Sequence, residues 1–410
     1  MQLPTTFRAL ANSNYRLWLI GAFISNIGTW LQRTAQDWIV IADLSDQNAS
    51  AVGIVVMFQF LPQILLLPLT GWAADRLDRR KLLLTTQICM AILALILGVL
   101  ALTNMIVLWH VYACALALGI VAAFDAPARH AFVSDVVSEN EVPNAVALNS
   151  VSFNSARLIG PAIAGLLIAL VGAGWVFMIN LLSFIPLLSA LVILGGRSLA
   201  GCETKRETSH KMGFLDGFRY LGAHREMIVM LVMSSLVCGL GMNFSVYLSA
   251  MTVHVFGGHA GQYGLLISMM AIGSISGALI TASRPKPNFG FMVCLPAIYA
   301  MASVLVAWSP NYLTFSGLLI VLGLSLQLFT TSSNTFMQTS TSRAYRGRVM
   351  AIVLATMMGS TALGAPFVGW VADTIGARWS IGVGAVFGML AFCIGGTYYL
   401  RYYRHQEKAA

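Results

Sequence analysis

The stretch Gly71-Trp-Ala-Ala-Asp75-Arg76-Leu-Asp78-Arg79-Arg80-Lys81 decides how the rest of the chain is interpreted. It contains six charged residues and lies between two apolar runs, 51–69 and 82–102, that contain none. A run of about 20 apolar residues is long enough to cross the hydrocarbon core of a bilayer. The stretch therefore predicts a short charged hairpin at one membrane face.

Two aspartates in this hairpin have different expected roles. Asp78 precedes the next apolar run and can cap its helix by accepting the unpaired backbone N–H groups there. Asp75 falls in the last turn of the preceding helix, where the negative end of the helix dipole disfavours an acid. We therefore expect Asp75 to find its partner elsewhere, on a basic side chain or at the N-terminus of another helix.

Composition places the chain among polytopic membrane proteins. Of its 410 residues, 58% are hydrophobic and 10% are charged, whereas soluble domains carry about 25% charged residues. A net charge of +9 would suggest nucleic-acid binding in a soluble protein. Here the basic residues cluster between apolar runs, so no nucleic-acid partner is expected. The six cysteines are scattered singly and are interpreted as packing residues, and neither a metal nor another cofactor is expected.

Apolar runs of spanning length recur along the whole chain, and they predict an all-α membrane protein with twelve transmembrane helices. They lie near residues 17–42, 51–74, 82–103, 106–127, 144–171, 175–195, 227–252, 262–282, 289–308, 311–335, 348–372 and 379–400. The longest polar interval, 196–226, divides them into two sets of six. We therefore expect an N-terminal six-helix bundle at 1–195, a cytoplasmic central loop at 196–226 and a C-terminal six-helix bundle at 227–410.

Orientation follows from the basic residues, which are enriched in cytoplasmic connections. Alternate connections, the central interval and both tails carry Lys or Arg, whereas the connections on the other side carry only Arg378. This pattern predicts that both termini and the central loop are cytoplasmic.

The two halves are related by a shift of 204 positions. Gly160 falls on Gly364, Gly172 on Gly376 and Trp175 on Trp379. Matches in one register that include tryptophan and several glycines predict a duplicated six-helix unit, as in many secondary transporters.

A polar stripe runs along the first span, and a charge in mid-membrane is costly. The stripe consists of Asn26, Thr29, Arg33, Gln36 and Asp37. Arg33 and Asp37 are four residues apart and can pair with each other, which would make them a self-neutralised pair. The other interpretation is that the stripe lines a water-filled cavity, with Asp37 as a proton or cation site.

Arg157 is predicted to lie near the bilayer centre on the fifth span, with Ser150 and Asn154 on the same helix face. No acid lies within helical reach of it. Arg157 should therefore face an acid on another helix, a cavity or an anionic ligand.

Two further groups on the spans are singled out. Gly160, Pro161 and Gly165 are predicted to let a neighbouring helix approach the fifth span, with a bend at the proline. Asp125 and Arg129, four residues apart at the inner end of the fourth span, are expected at the cytoplasmic surface, where either could meet the hairpin.

The hairpin resembles the signature loop of the major facilitator superfamily, G-x-x-x-D-R-x-G-R-R, with Asp78 where glycine is usual. The resemblance covers essentially the whole chain and implies alternating access, with the hairpin docking at the N-terminus of the eleventh helix when the cytoplasmic side is closed. It implies a conformational gate formed by Gly71, Asp75, Arg76, Arg79, Arg80, Asp125 and Arg129.

Residues 119–180 are most similar to the branch that contains enterobactin exporters and macrolide-efflux proteins. Gly160-Pro161 resembles the Gly-Pro motif of proton antiporters, whereas Ala115 stands where many members carry arginine. The resemblance implies a monomer in the bacterial plasma membrane that exports a small amphiphilic molecule, drug or siderophore-like, in exchange for protons. The expected substrate and coupling residues are Arg33, Asp37, Arg157, Asn154 and Asn26.

Two alternatives remain open from the sequence. The first is an importer or uniporter of a small metabolite, which would use the same fold. The second is a membrane-embedded enzyme or sensor. The chain lacks the H-E-x-x-H and G-x-S-x-G motifs of intramembrane chemistry and the Walker motif of ATP-driven transport. An enzyme is therefore not expected.

Overall fold

The computed structural model describes residues 5–196, 215–282, 288–342 and 345–403. Every regular element in these ranges is helical. The α-helices are α1 (Ser13–Ile39), α2 (Ala49–Leu65), α3 (Leu67–Arg76), α4 (Arg79–Leu102), α5 (Leu108–Val136), α6 (Val142–Val171), α7 (Ala173–Leu194), α8 (Leu215–Ala223), α9 (Arg225–Gly241), α10 (Phe244–Ala250), α11 (Ala260–Ala282), α12 (Phe289–Ala307), α13 (Tyr312–Ser340), α14 (Arg346–Thr374) and α15 (Ala377–Tyr398). Most of the predicted central loop, 197–214, lies outside the described residues.

Ten helical segments of the described chain are long and apolar enough to cross a membrane. The first two predicted spans are not among them. Polar residues recur along α1, and the second span divides into α2 and α3 at Leu66, so that α2 has only 17 residues. The prediction of a helical protein with many membrane spans is confirmed, whereas the count of twelve stays a prediction.

Helix bounds repeat with the 204-residue period found in the sequence. Helices α5, α6 and α7 begin at residues 108, 142 and 173, and helices α13, α14 and α15 begin at 312, 346 and 377. The turns before α7 and α15 also match, because Gly172 and Gly376 have φ of 84° and 129°. Only glycine adopts such backbone angles without strain, which explains why both halves have glycine at this turn.

Residue contacts divide the chain into two compact units: unit 1 comprises Met1–Val40 and Pro62–Ser209, and unit 2 comprises Ile41–Leu61 and His210–Ala410. In unit 1, α1 packs against α6 and α7, and α4 packs against α5 and α7. The rings of Trp18 and Phe132, 4.9 Å apart, lie in the buried core that joins α1 to α5.

In unit 2, α9 packs against α14 and α15, and α11 packs against α13. The predicted seventh span is interrupted between Gly241 and Phe244. The side-chain amide of Asn243 donates to the carbonyl oxygen of Gly239 at 2.6 Å, and the Tyr299 hydroxyl donates to that of Gly241 at 3.2 Å. Backbone groups freed by a helix break need such partners in a membrane.

Candidate functional site

The hairpin between α3 and α4 has the predicted cap. Asp78 is extended, and its carboxylate accepts hydrogen bonds from the backbone N–H groups of Arg80 and Lys81, at 3.0 and 3.1 Å. An oxygen at this position satisfies donors that the first helical turn leaves unpaired. The prediction that Asp78 caps this helix is confirmed, and the acid found in place of glycine has a local structural role.

Two arginines of the hairpin anchor α4 inside unit 1. Arg79 pairs with Asp135 at the end of α5, with 2.6 Å between Nη1 and Oδ1. Arg80 donates from Nε to the carbonyl oxygen of Leu191 at 2.6 Å and from Nη2 to that of Val192 at 3.3 Å. The last carbonyls of a helix lack intrahelical partners and attract a cation, so Arg80 caps the C-terminus of α7.

Gly195, just after α7, provides the space for this contact. A side chain there would overlap the guanidinium carbon and the two terminal nitrogens of Arg80. The absence of a side chain at Gly195 is therefore a condition for the cap of α7.

Three further residues of the predicted gate, Gly71, Asp75 and Arg76, lie on α3. The guanidinium of Arg76 lies 5.9 Å from the ring centre of Trp72, and both residues are exposed. Gly71 faces open space, with no atom near the position of a Cβ. Asp75 is the penultimate residue of α3, and its side chain lies outside the described residues.

Asp125 is the centre of a buried polar network in unit 1. Its Oδ1 accepts from the Thr86 hydroxyl at 2.8 Å and from the Gln87 amide at 2.7 Å, and its Oδ2 forms an ion pair with Arg129. Ser25 on α1 donates to Gln87 at 3.0 Å and lies 3.5 Å from Arg129. The network joins α1, α4 and α5.

The expected surface position of Asp125 and Arg129 is wrong. Asp125 is 5% exposed, because its carboxylate packs against Thr86, Gln87 and Arg129. Helix α5 continues to Val136, eleven residues beyond it. At 1.5 Å per residue, that places Asp125 about 16 Å from the helix end. The described partners of the pair lie on its own helix, α1 and α4, and none is a residue of the hairpin between α3 and α4.

The polar stripe of α1 is largely buried. Asn26, Gln36 and Asp37 belong to the buried polar residues of unit 1. The guanidinium of Arg33 interacts electrostatically with Asp37 and lies 5.1 Å from the ring centre of Trp30. Trp30 was not among the residues expected from the sequence.

A second polar network on α1 escaped the sequence analysis. Gln32 is buried and accepts a hydrogen bond from the Asn180 amide at 2.6 Å, while the Ser183 hydroxyl donates to the Asn180 carbonyl at 2.7 Å. Gly28 lies against Asn180 and Ser183, where a side chain would overlap both. Gln32 and Asn180 are 148 positions apart, so no local sequence pattern predicts their hydrogen bond. Each is recognisable only as a polar residue in an apolar run.

Arg157 is half-buried in the middle of α6. On the same face, Asn154 donates to the carbonyl oxygen of Ser150 at 2.8 Å, and both are exposed. Phe153, one turn before Arg157, meets Trp30 edge to face with 6.4 Å between ring centres. The ring of Trp30 therefore contacts both Arg33 on its own helix and Phe153 on α6.

The small residues of α6 lie near this point. Gly160 packs against α1 so closely that a side chain would approach the Trp30 Cβ to 2.5 Å and the Ile27 carbonyl oxygen to 3.2 Å. Pro161 lies within the helix, which continues to Val171, and Gly165 is buried.

Unit 2 contains a contact for which the sequence analysis had no expectation. Asp373, the penultimate residue of α14, accepts hydrogen bonds from the backbone N–H groups of Ala49 and Ser50 at 2.7 and 2.8 Å. These are the first two residues of α2, so the carboxylate caps a helix that lies 323 positions earlier in the sequence. An acid at the end of an apolar run was the available signal.

This chain matches known proteins over nearly its whole length. Residues 4–410 match the family described as transmembrane secretion effector. The chain is 25% identical over 386 residues to the staphyloferrin A transporter of Staphylococcus aureus, covering 92% of this chain and 94% of that one. It is 20% identical to macrolide efflux protein A of Streptococcus pyogenes, covering 93% of each chain. It is 23% identical to the multidrug efflux pump Tap of Mycolicibacterium fortuitum, covering 87% and 89%.

Solved structures share the fold at low identity. A bacterial homologue of the human lysosomal transporter Spinster, solved in an inward-facing and unoccupied conformation, superposes with a TM-score of 0.74 at 14% identity, covering 94% of this chain and 98% of that one. The nucleoside transporter NupG gives a TM-score of 0.71 at 15% identity, covering 95% and 100%. By sequence and fold together, the chain belongs to the transmembrane secretion effector family of the major facilitator superfamily and is a multi-pass membrane transporter, not an enzyme.

Proposed function

We propose that this protein is a secondary active exporter that exchanges a small amphiphilic molecule for protons. The observation that carries the proposal is the set of ionisable side chains in the spans of unit 1, in a chain that matches transporters along its whole length. Such groups are costly in a membrane and mark substrate or proton pathways in transporters. Full-length relatives named for macrolide and multidrug efflux favour export over import.

The proposed architecture is twelve spans in two six-helix bundles, with both termini cytoplasmic, in a monomer of the bacterial plasma membrane. Helices α2 and α3 together form the second span, and α1 with its polar stripe forms the first. Transport proceeds by alternating access, in which the two bundles expose a central site to one side at a time.

Asp75 acts in this cycle as a gate residue. When the cytoplasmic side closes, its carboxylate docks at the N-terminus of α14, where the helix dipole is positive. Support comes from its place in the last turn of α3 and from the anchoring of Arg79 and Arg80, which fixes the hairpin to unit 1.

Asp37 is the proposed proton site, with Arg33 as its charge partner on the preceding helical turn. Support comes from its burial within α1 and from its electrostatic interaction with Arg33. Protonation of Asp37 would release Arg33 to interact with other groups, including the transported molecule.

The test begins with a deletion strain grown against antibiotics and under siderophore-inducing conditions. A compound that becomes more toxic, or accumulates, on deletion is then labelled and offered to inverted membrane vesicles with an acidic interior. Accumulation that collapses when the pH gradient is dissipated supports proton-coupled export. If the protein were an importer, its deletion would instead lower the amount of the compound that cells accumulate.

Asp37→Asn should abolish accumulation against a gradient while leaving exchange of labelled for unlabelled compound, because exchange needs no net proton movement. Asp46→Asn, in an exposed turn with φ of 48°, is the matched control, since asparagine also tolerates this backbone. Unchanged uphill transport in Asp37→Asn would place the proton site elsewhere.

A further inference from the structure

One short sequence occurs twice near the ends of helices. Gly-Trp-x-Ala-Asp occupies 71–75 near the end of α3 and 369–373 near the end of α14. In both copies the acid is the penultimate residue of its helix, where the negative end of the helix dipole disfavours a carboxylate. Because the same residues recur at the same place in a helix, we expect the two acids to have related roles.

The structure shows what stabilises the second of these acids. Oδ1 of Asp373 accepts a hydrogen bond from the backbone N–H of Ala49 at 2.7 Å. Oδ2 accepts one from the backbone N–H of Ser50 at 2.8 Å and another from the Ser50 hydroxyl. Both oxygens are therefore bonded to the first turn of α2, where the helix dipole is positive. An acid that its own helix disfavours is stabilised by the start of another helix.

Close packing extends this contact along α2 and α14. A Cβ at Gly369 would lie 2.6 Å from the carbonyl oxygen of Ala49, and a Cβ at Gly53 would lie 2.5 Å from that of Ala365. Residue numbers rise along α2 as they fall along α14, so the two helices pack antiparallel with their backbones in close contact. The carboxylate of Asp373 lies at one end of this contact, where it bonds N–H groups that α2 cannot pair within its own helix.

The second span is shared between the two units. Residues 41–61, which include most of α2, group with unit 2, whereas the chain from Pro62 to Ser209 groups with unit 1. The division falls close to the break at Leu66 between α2 and α3. If the two units move relative to each other during transport, a span shared in this way has to give up contacts with one of them.

We propose that the contact of Asp373 with the first turn of α2 is the outer latch of the transport cycle, which forms when the outer side is closed and breaks when that side opens. In the proposed orientation, Ala49 and Asp373 lie at the outer ends of their spans. The inference rests on the alternating access of the proposed function and complements the gate assigned there to Asp75. Each acid caps the first turn of the span that carries the other, Asp75 on the cytoplasmic side and Asp373 on the outer side, and the two contacts alternate.

The first test measures how often the outer side is open. Spin labels are attached at Met105→Cys, in the turn before α5, and at Leu313→Cys, at the start of α13, which are exposed positions at the proposed outer ends. The six native cysteines are replaced by serine. Pulsed electron double resonance in lipid nanodiscs then gives the distances between the labels. The populations with the longer and the shorter distance give the ratio of open to closed molecules.

Opposite shifts are expected for the two acids. Asp373→Ala should raise the ratio of open to closed molecules by about fivefold, the equivalent of one lost helix cap. Asp75→Asn should lower this ratio, because it weakens the contact that holds the cytoplasmic side closed. The double variant Asp75→Asn/Asp373→Ala should lie between the two single variants.

A control separates this effect from a loss of charge or of stability. Asp46→Asn removes an acid from the exposed turn before α2 and should leave the ratio unchanged. Thermal unfolding of each variant establishes that it is folded. A cap with only a structural role would lower thermal stability in Asp373→Ala without changing the ratio.

The second test asks whether the contact has to break during transport. In the same cysteine-free background, Ser50→Cys/Asp373→Cys is joined by a short, cleavable bifunctional thiol reagent and assayed for transport in vesicles. Joining should abolish transport, because the outer side can no longer open, and cleavage of the reagent should restore it. Ser50→Cys alone should transport equally well before and after treatment with the reagent.

The outcomes separate the latch from the proposed function. An unchanged ratio in Asp373→Ala, a shift towards the closed state, or full transport by the joined protein would overturn the latch. A shift towards the open state together with loss of transport on joining supports it. If Asp75→Asn leaves the ratio unchanged, the gate assigned to Asp75 is wrong. If wild-type vesicles accumulate no compound in response to a pH gradient while the ratio still responds to Asp373→Ala, proton-coupled export is wrong and the latch stands.

Discussion

Unit 1 and unit 2 repeat helix bounds without repeating charges. Arg157 on α6 corresponds to Thr361 on α14 under the 204-residue shift, and the two helices begin at equivalent residues. The Thr361 hydroxyl donates to the carbonyl oxygen of Cys238 at 3.1 Å, so it contacts α9 within unit 2 as a neutral group. The helix of unit 2 forms without a base at this position. The charge of unit 1 therefore has a cause beyond helix formation.

A second comparison concerns two acids at helix ends. Asp75 and Asp373 are the penultimate residues of α3 and α14. Both positions disfavour a carboxylate, because the helix dipole is negative there. Asp373 shows one solution, since it caps the N-terminus of α2. The same solution is what we propose for Asp75 in another state of the transport cycle.

The largest expected effect is on the buried ion pair of Asp125 and Arg129, which has no counterpart among the described helices of unit 2. Asp125→Ala leaves Arg129 without its carboxylate and should destabilise the protein by about 3–5 kcal/mol, because an uncompensated buried charge is costly. Asp135→Ala, which breaks the half-exposed pair with Arg79, should cost about 1 kcal/mol or less. Thermal unfolding in detergent measures both. The double variant Asp125→Ala/Arg129→Ala should recover part of the loss, and equal losses for the two single variants would contradict the comparison.

The next effect concerns Arg157, which has threonine as its counterpart in unit 2. Arg157→Ala should abolish transport, a loss of about a hundredfold or more, while the protein stays folded. Arg157→Lys should keep weakened but measurable transport, because it preserves charge without the planar fork. Transport of the compound found in the vesicle assay is read beside thermal unfolding. Wild-type transport in Arg157→Ala, or simple unfolding, would assign Arg157 to structure.

A smaller effect is expected at the hairpin. Asp75→Asn should insert normally but transport poorly, because loss of the charge shifts the balance between states by about 1–3 kcal/mol. Asp78→Asn is the control, since asparagine caps a helix as well as aspartate and should leave transport near wild type. Transport rates in reconstituted vesicles at equal protein amounts give the measurement. Full activity of Asp75→Asn would remove Asp75 from the gate.

The smallest effect tests the counterpart in unit 2. Asp373→Ala removes the acceptor from the first N–H groups of α2 and should cost about 1 kcal/mol locally. Hydrogen exchange of residues 49–52 should then be about fivefold faster. Thr374→Ala, at the neighbouring exposed position, should leave this exchange unchanged. Equal protection in Asp373→Ala would mean that the carboxylate does not hold α2.

Much of the fold could be predicted from the sequence, because a helix that spans a membrane needs an apolar run of about 20 residues, which is visible in the sequence. The starts of α5 to α7 and of α13 to α15 lie within two residues of the predicted starts, and the cap at Asp78 follows from local residues, whereas α5 ends nine residues beyond the predicted 127. The break after Gly241 and the break at Leu66 were not predicted. The first of these depends on Tyr299, a partner 58 positions away, which no local pattern contains.

The candidate site was predicted less completely, for two physical reasons. Polar residues stand out in an apolar run, so Arg33, Asp37 and Arg157 were found, but their depth and partners depend on packing. Asp125 was placed at the surface because its distance from the end of α5 was underestimated. Trp30 and Phe153 were missed because aromatic residues that pack between two helices have the same composition signal as those that face lipid.

Gly195 has a consequence for mutational tolerance. Its backbone angles are ordinary, it is exposed, and it follows the last residue of α7, so it has the features of a permissive site for substitution. The guanidinium of Arg80 nevertheless occupies the space of its missing side chain. A side chain at position 195 would displace this flexible guanidinium from the end of α7, so a substitution of Gly195 should cost about as much as the loss of the Arg80 side chain, and the two losses should not be additive.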